Sequence, residues 1–447
     1  MQTFVRRLFV FAVGGAIVAT AATVALGGGA SPSPGVRTER PSAAPASPVG
    51  EEVAFWQARV AADPGDLTSR TQLAASLLSW ATAQHDTARA IEADEEIDRV
   101  LAARPDDPSA LLVKAGTRMF VHDFEAARDL AGRVLARDPT HKAALAIVGD
   151  AAFELGDLDA AREYYGTLAD RIGAAPEVSA RRARLAHASG DTATAIAAAE
   201  QAIIEAGAAG YQPVDAVYYR VLYAELLRGA GRYAEASAVF RDVLAVVPEH
   251  GPAIEGQAKA SAALGDLDDS QRWWERSGEL IGTPDFHVLA ALGDIAHARG
   301  DDEAARRLWH DALAAVDALP AEAQVGFRRD VARFLATRGL DAERALDLAR
   351  ADLAARRDAL AYDTLAWAQL AAGDPHAALV SIERALAPGV EDASIWYHAA
   401  EIYAANGDGP GAADAVRRAL AFSPEFDLYE APRARALLAG RSASTVR

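Results

Sequence analysis

Histidine, aspartate and glutamate at helical spacing can hold a metal or move a proton, so the ten histidines are weighed first. No H-E-x-x-H pair occurs. Asp294 and His297 stand three residues apart, as do His398 and Glu401, and each pair shares one helix face. Two ligands are too few for a closed metal site. Gly407-Asp408-Gly409-Pro410-Gly411 has neither a preceding strand nor the downstream glycine of a dinucleotide loop. Neither a G-x-x-x-x-G-K-[ST] run nor a G-x-S-x-G elbow is present. Cysteine is absent, which excludes a disulfide framework, a thiol nucleophile, Cys-ligated zinc and a lipidated cysteine. The residues therefore predict no catalytic group, no metal ligand and no cofactor.

Function has to be sought in the elements. The 447 residues hold 45 Lys and Arg against 63 Asp and Glu, a net charge of −18, and half of them are apolar. That composition supports a packed core. It disfavours nucleic acid, because phosphate contacts need clustered positive charge.

Arg6 and Arg7 precede an uncharged run from Leu8 to Leu26. As a helix, that run would span about 28 Å, close to the hydrocarbon core of a bilayer. A cationic start before an apolar run puts the N-terminus in the cytoplasm and everything later outside. The alternative is a secreted chain cut near Ala30, but the run is longer than a usual signal-peptide core, which favours an uncleaved anchor. Pro, Ser, Ala and Gly dominate the segment after it and predict an extended tether. The expected plan is a signal anchor or signal peptide over 1–30, a linker over 31–50 and a capping helix over 51–66. A repeat array follows over 67–426, then a cap and tail over 427–447. The first fifty residues carry +3 (four Arg, one Glu), so the remainder carries −21.

Gly-Asp dipeptides recur at Gly156, Gly190, Gly265, Gly300, Gly373 and Gly407, with spacings of 34 from Gly156 to Gly190 and from Gly373 to Gly407. Each follows one amphipathic run and precedes another, the pattern of helix, tight turn, helix. With the turn glycine at position 15, position 8 is always small: Ala115, Gly149, Ala183, Ala224, Ala258, Gly293, Ala366 and Ala400. Position 20 is small as well, from Ala127 and Ala161 through Ala412, while position 24 is mostly bulky, as at Tyr165, Phe240, Trp274 and Trp309. Pro139, Pro248 and Pro424 stand where a second helix must stop.

Segments such as ALAIVGDAAFELGDLDAAREYYGTL (144–168) and AYDTLAWAQLAAGDPHAALVSIERAL (361–386) closely resemble the tetratricopeptide repeat family. The resemblance covers about four fifths of the chain. It implies an all-α, right-handed superhelical solenoid of about ten helix-turn-helix repeats. Departures are also legible. The first repeat has Ala81 for the turn glycine and about seven extra residues, expected in its turn, and residues 210–216 break the phase.

In this family the first helices line a groove, and the resemblance places Asp150, Glu154, Arg184, His187, Glu225, Arg228, Glu255, Lys259, Asp294 and His297 on it, with Arg181 beside them. Trp367 and Tyr397 fall at groove positions as candidate aromatic anchors. The carboxylate-clamping members use Lys and Asn, which are too scarce here: three Lys and one Asn. The expected function is a non-catalytic scaffold or assembly factor, tethered outside the cytoplasmic membrane, that binds a protein or peptide segment. The alternative is an envelope chaperone that hands unfolded substrate to a maturation or assembly machine, such as one for cytochrome c, pili or the outer envelope.

Overall fold

Glycine and aspartate in succession can end one helix and start the next, and the computed structural model shows them doing so. It describes residues 48–84 and 87–440. At Gly190 the backbone enters the left-handed region (φ +76°), which glycine adopts without a Cβ clash, and the first helix stops. The side chain of Asp191 then accepts the backbone N–H of Thr194 at 2.9 Å and caps the second helix. Asp266, Asp301, Asp374 and Asp408 cap their helices in the same way. The second hairpin has His122, at φ +62°, where the third to tenth carry glycine.

The described residues form ten hairpins and no strand. Their first and second helices are Leu67–Gln84 and Thr87–Ala103, Pro108–Phe120 and Phe124–Leu135, Lys142–Glu154 and Leu158–Ile172, Pro176–Ala188 and Thr192–Ala208, and Val217–Gly229 and Tyr233–Val246. The remaining five are Gly251–Ala263 and Leu267–Ile281, Phe286–Ala298 and Asp302–Asp317, Arg328–Arg338 and Ala342–Ala355, Ala359–Ala371 and Pro375–Leu386, and Ala393–Ala405 and Gly409–Phe422. Helix Pro48–Ala62 precedes them and helix Glu430–Leu438 follows.

The small positions explain the pairing. Ala115, Ala183, Ala224, Ala258, Ala366 and Ala400 have no exposed surface, nor do Ala127, Ala161, Ala195, Ala236, Ser270, Ala305 and Ala378. Where the first helix carries glycine, a large ring fills the space. A Cβ on Gly149 would lie 2.7 Å from Tyr165, and one on Gly293 would lie 2.5 Å from Trp309. Interiors packed this closely lose stability when a methylene is added or removed.

Contacts divide the chain into two units, one running through Ala152 with Asp159–Gly173, the other Phe153–Leu158 with Ala174 onward. Within the second, first helices of successive hairpins touch side by side: Pro176–Ala188 on Val217–Gly229, Val217–Gly229 on Gly251–Ala263, and Arg328–Arg338 on Ala359–Ala371. Second helices show no comparable mutual contact among the described residues. The first helices thus form the inner layer of this unit.

Several expectations change. The extra residues of the first hairpin lengthen its helices to 18 and 17 residues instead of swelling its turn, because no Gly or Pro interrupts them. The stretch 210–216 is a turn, started by Gly210 at φ +79°. The first described helix begins at Pro48, inside the expected linker, with proline in the first turn where its missing N–H costs nothing. The apolar run 8–26, the cleavage point at Ala30, the linker as far as residue 47 and the tail 441–447 lie outside the described residues. Among the described residues no helix is long and apolar enough to cross a membrane.

Candidate functional site

Charged side chains on an inner helical layer must find partners or water. In the second unit they do both, in different places. On the fourth hairpin Arg184 donates to Glu154 at 2.8 Å and lies 4.4 Å above the ring of Phe153. Arg181 is buried and donates to the carbonyl of Glu177 at 3.2 Å. Half-buried His187 faces the carboxylates of Glu391 and Asp392. Burial lowers its pKa, and those carboxylates oppose the shift without reversing it.

The fifth and sixth hairpins stay open to water. Glu225 and Arg228 pair on their own helix at 2.8 Å, with side chains 30% and 26% exposed. Lys259 is exposed, its ammonium 5.7 Å from the ring of Trp274. Between them Glu255 is buried, one carboxylate oxygen has no hydrogen-bond partner, and burial pushes its pKa up to about 7.

From the seventh hairpin to the tenth the inner side chains become progressively more enclosed. Asp294 accepts the indole N–H of Trp309 at 3.0 Å and pairs with Arg338. His297 bonds Asp302 at 2.7 Å, and its ring lies 5.0 Å from that of Tyr429. His398 has no exposed surface. Its Nδ1 is 2.7 Å from Asp363 and its Nε2 3.1 Å from Glu430. Burial alone would drive this imidazole neutral, but the two carboxylates outweigh it and push the pKa up to about 9. Glu430 resists the upward push of its own burial and falls to about 2, chiefly through His398 and Arg333. Asp363 also pairs with Arg333.

Trp367 and Tyr397, expected as anchors on the groove, are both buried. The Trp367 ring stacks on His398 at 4.1 Å, and its N–H donates to Thr337 at 2.9 Å. Tyr397 donates to Glu401 at 3.0 Å. In the first unit Asp150 is buried and accepts the Tyr165 hydroxyl at 2.8 Å.

The structure thus brings Glu225, Arg228 and Lys259 together on a water-accessible face and ties Asp294, Trp367 and Tyr397 into packed surroundings, while His297 stays partly exposed. Sequence reasoning passed over Arg329, Arg333, Arg338, Asp363 and Glu430. A signal was available: the segment RRDVARFLATR places four arginines on one helix of an acidic chain. Among the described residues no group of three or more His, Asp or Glu could hold a metal ion. The depression at the turn Leu264–Asp268, about 390 Å³, is lined by five consecutive residues and brings no distant groups together.

The family described as tetratricopeptide repeat matches residues 117–176, 149–213, 221–273 and 364–425. No curated protein matches the chain. Among solved structures it is similar to PilW, titled a widely conserved type IV pilus biogenesis factor, at 19% identity over 47% of this chain and 93% of that one, with a TM-score of 0.40. A tetratricopeptide repeat protein from Parabacteroides merdae is similar at 17% identity over 56% of this chain and 94% of that one, with a TM-score of 0.41. Yeast Tom70 is similar at 12% identity over 88% and 92%, with a TM-score of 0.37. With four matches to the repeat and helix pairs closed at its small positions, the chain belongs to the tetratricopeptide repeat family and is a protein-interaction scaffold.

Proposed function

We propose that this scaffold is held outside the cytoplasmic membrane by its N-terminal segment and binds an extended segment or helix of a partner protein along the inner first-helix layer. One observation carries the binding surface. Glu225, Arg228 and Lys259, on neighbouring first helices, remain accessible to water, whereas the small-residue contacts within the hairpins are closed. Polar groups left to water on an otherwise packed layer are available to a ligand without breaking the core. The address rests on the sequence alone: Arg6 and Arg7, the apolar run 8–26 and the Pro-rich segment behind it. Half-buried His187 borders the same layer, whereas Glu154 and Arg184 are buried as a pair beneath it.

A photo-crosslinking residue at Lys259 of the full-length protein in its own cells tests this, with the exposed second-helix position Glu163 as control. A discrete adduct from position 259 and none from 163 is expected. The same adducts from both positions, or none from 259, would overturn the binding surface. A smear of many unfolded chains from 259 would replace a scaffold with a chaperone. Protease accessibility of the repeats in spheroplasts checks the address; protection from protease would sink it.

A further inference from the structure

In the second unit three successive hairpin turns press on three connections about 200 residues later in the chain. A Cβ on Gly156 would lie 2.3 Å from the carbonyl oxygen of Arg357, one on Gly190 would lie 1.9 Å from that of Gly389, and one on Gly231 would lie 3.2 Å from that of Phe422. Six repeats of 34 residues account for that separation, so one coil of this unit takes about six hairpins and meets the next coil edge to edge. Gly265, Gly300, Gly373 and Gly407 occupy the same repeat position at nearly the same φ, yet a Cβ there would meet nothing within 4 Å. The contact is therefore local to one seam and not a property of the repeat.

The seam is held unevenly. At one end the Tyr233 hydroxyl meets Ser423 Oγ at 2.7 Å and accepts the N–H of Glu425 at 2.9 Å. In the middle, two glycines meet backbone to backbone, and the Thr192 N–H donates to Glu391 at 3.2 Å. Around that middle contact His187 Nδ1, Ser189 Oγ and Thr192 Oγ1 are buried without hydrogen-bond partners. Unsatisfied buried polar atoms weaken a closed state, and opening returns them to water. A stacked array can open by sharing a small rotation among many hairpins, because each contacts mainly its neighbours.

We propose that this seam is a clasp. The second unit has a closed form, seen here, and an open form in which the turns at Gly156, Gly190 and Gly231 part from residues 357–358, 389–390 and 422–425 and admit a partner segment to the inner layer. The partner's entry rests on the function proposed above; the opening itself does not.

The chain has no cysteine, so a pair of spin labels at Ala193 and Ala387, both exposed and flanking the middle of the seam, reports its width in the full-length protein. Wild type is expected to give a major short distance and a minor long one. Gly190→Ala should shift the population toward the long distance. Gly265→Ala, with the same left-handed backbone and no contact, should leave it where wild type has it. Tyr233→Phe removes only the hydroxyl tie and should also raise the long-distance fraction, which keeps the test decisive if Gly190→Ala does not fold. One short distance in wild type, unchanged in Tyr233→Phe and in any folded Gly190→Ala, would overturn the clasp. The distance is read without a partner. A clasp that opens while crosslinking at position 259 fails would sink the binding surface alone.

Discussion

The inner faces of the fifth and sixth hairpins and of the eighth to tenth are built from the same repeat positions and the same residue types, yet they differ in fate. Glu225 and Arg228 satisfy each other on one helix and keep about a quarter to a third of their surface in water. Asp363, Arg333, His398 and Glu430 come from four separate helices, and Asp363 and His398 have no exposed surface. The difference lies in what covers them. Helix Glu430–Leu438 brings Glu430 to His398 and to Thr337 at 2.9 Å, and Arg433 to the Thr337 carbonyl at 3.2 Å. Tyr429, just before it, places its ring beside His297 and Trp309. A repeat position therefore does not decide between surface and core; the element lying over it does.

The largest effect should come from breaking the sealed network. Asp363→Ala leaves His398 fully buried, and Arg333 partly so, beside Glu430 without their second carboxylate, and removing one partner of a buried pair costs about 3–5 kcal/mol. Urea unfolding of the full chain, with the seam intact, reads this loss. A value under about 1 kcal/mol would show that the network is not sealed.

The same network sets a pH dependence. The pKa of His398 in the folded chain, about 9, lies above its ordinary 6.5, so its contribution is fully present below pH 6.5 and disappears as pH rises through 9. Glu430 falls from its ordinary 4.5 to about 2, so its contribution is present above pH 4.5 and disappears as pH falls toward 2. Melting temperature should drop between pH 7 and pH 10, and His398→Gln should flatten that drop. An unchanged alkaline slope in the variant would show that the imidazole is not held charged.

Much of the fold was legible because its determinants are local. Ala161, Ala195 and Ala236 recur in phase with Gly190 and Gly231, and a hairpin of this size needs little beyond its own 34 residues to choose its partner helix. The site was only half legible. Position 9 of the repeat names Glu225, Lys259, Asp294 and Trp367 alike, yet Lys259 is exposed and Trp367 is stacked on a histidine from the next hairpin. Burial of Trp367 depends on Thr337, His398 and Glu430, which are 30 to 63 residues away. No period in the sequence carries that information. The seam is still less visible, because Gly190 and Gly265 share the Gly-Asp turn and the left-handed backbone, yet a later coil comes against only one of them.

A smaller effect tests how the sealed side is tied. The hydroxyl of Thr337 accepts the Trp367 N–H and donates to Glu430, both at 2.9 Å. Thr337→Val keeps the shape and removes both bonds, leaving an indole donor buried. About 1–3 kcal/mol should be lost, read by urea unfolding, and Trp367 fluorescence should shift with it. A loss no greater than that of an ordinary surface substitution would mean that water reaches this hydroxyl.

The smallest effect belongs to the open side, and it sharpens the contrast most. Glu225→Gln removes the charge that Arg228 pairs with, but the partner sits on the same helix and reaches water without moving. Pairs of this kind contribute about 0–1 kcal/mol, because screening and side-chain entropy offset most of the attraction. Stability should therefore barely change, while crosslinking from position 259 to a partner should weaken if the pair forms part of the binding surface. Were Glu225→Gln to destabilise the chain as much as Asp363→Ala, the fifth hairpin would be as closed as the ninth, and the proposed surface would have no water-accessible charge to offer.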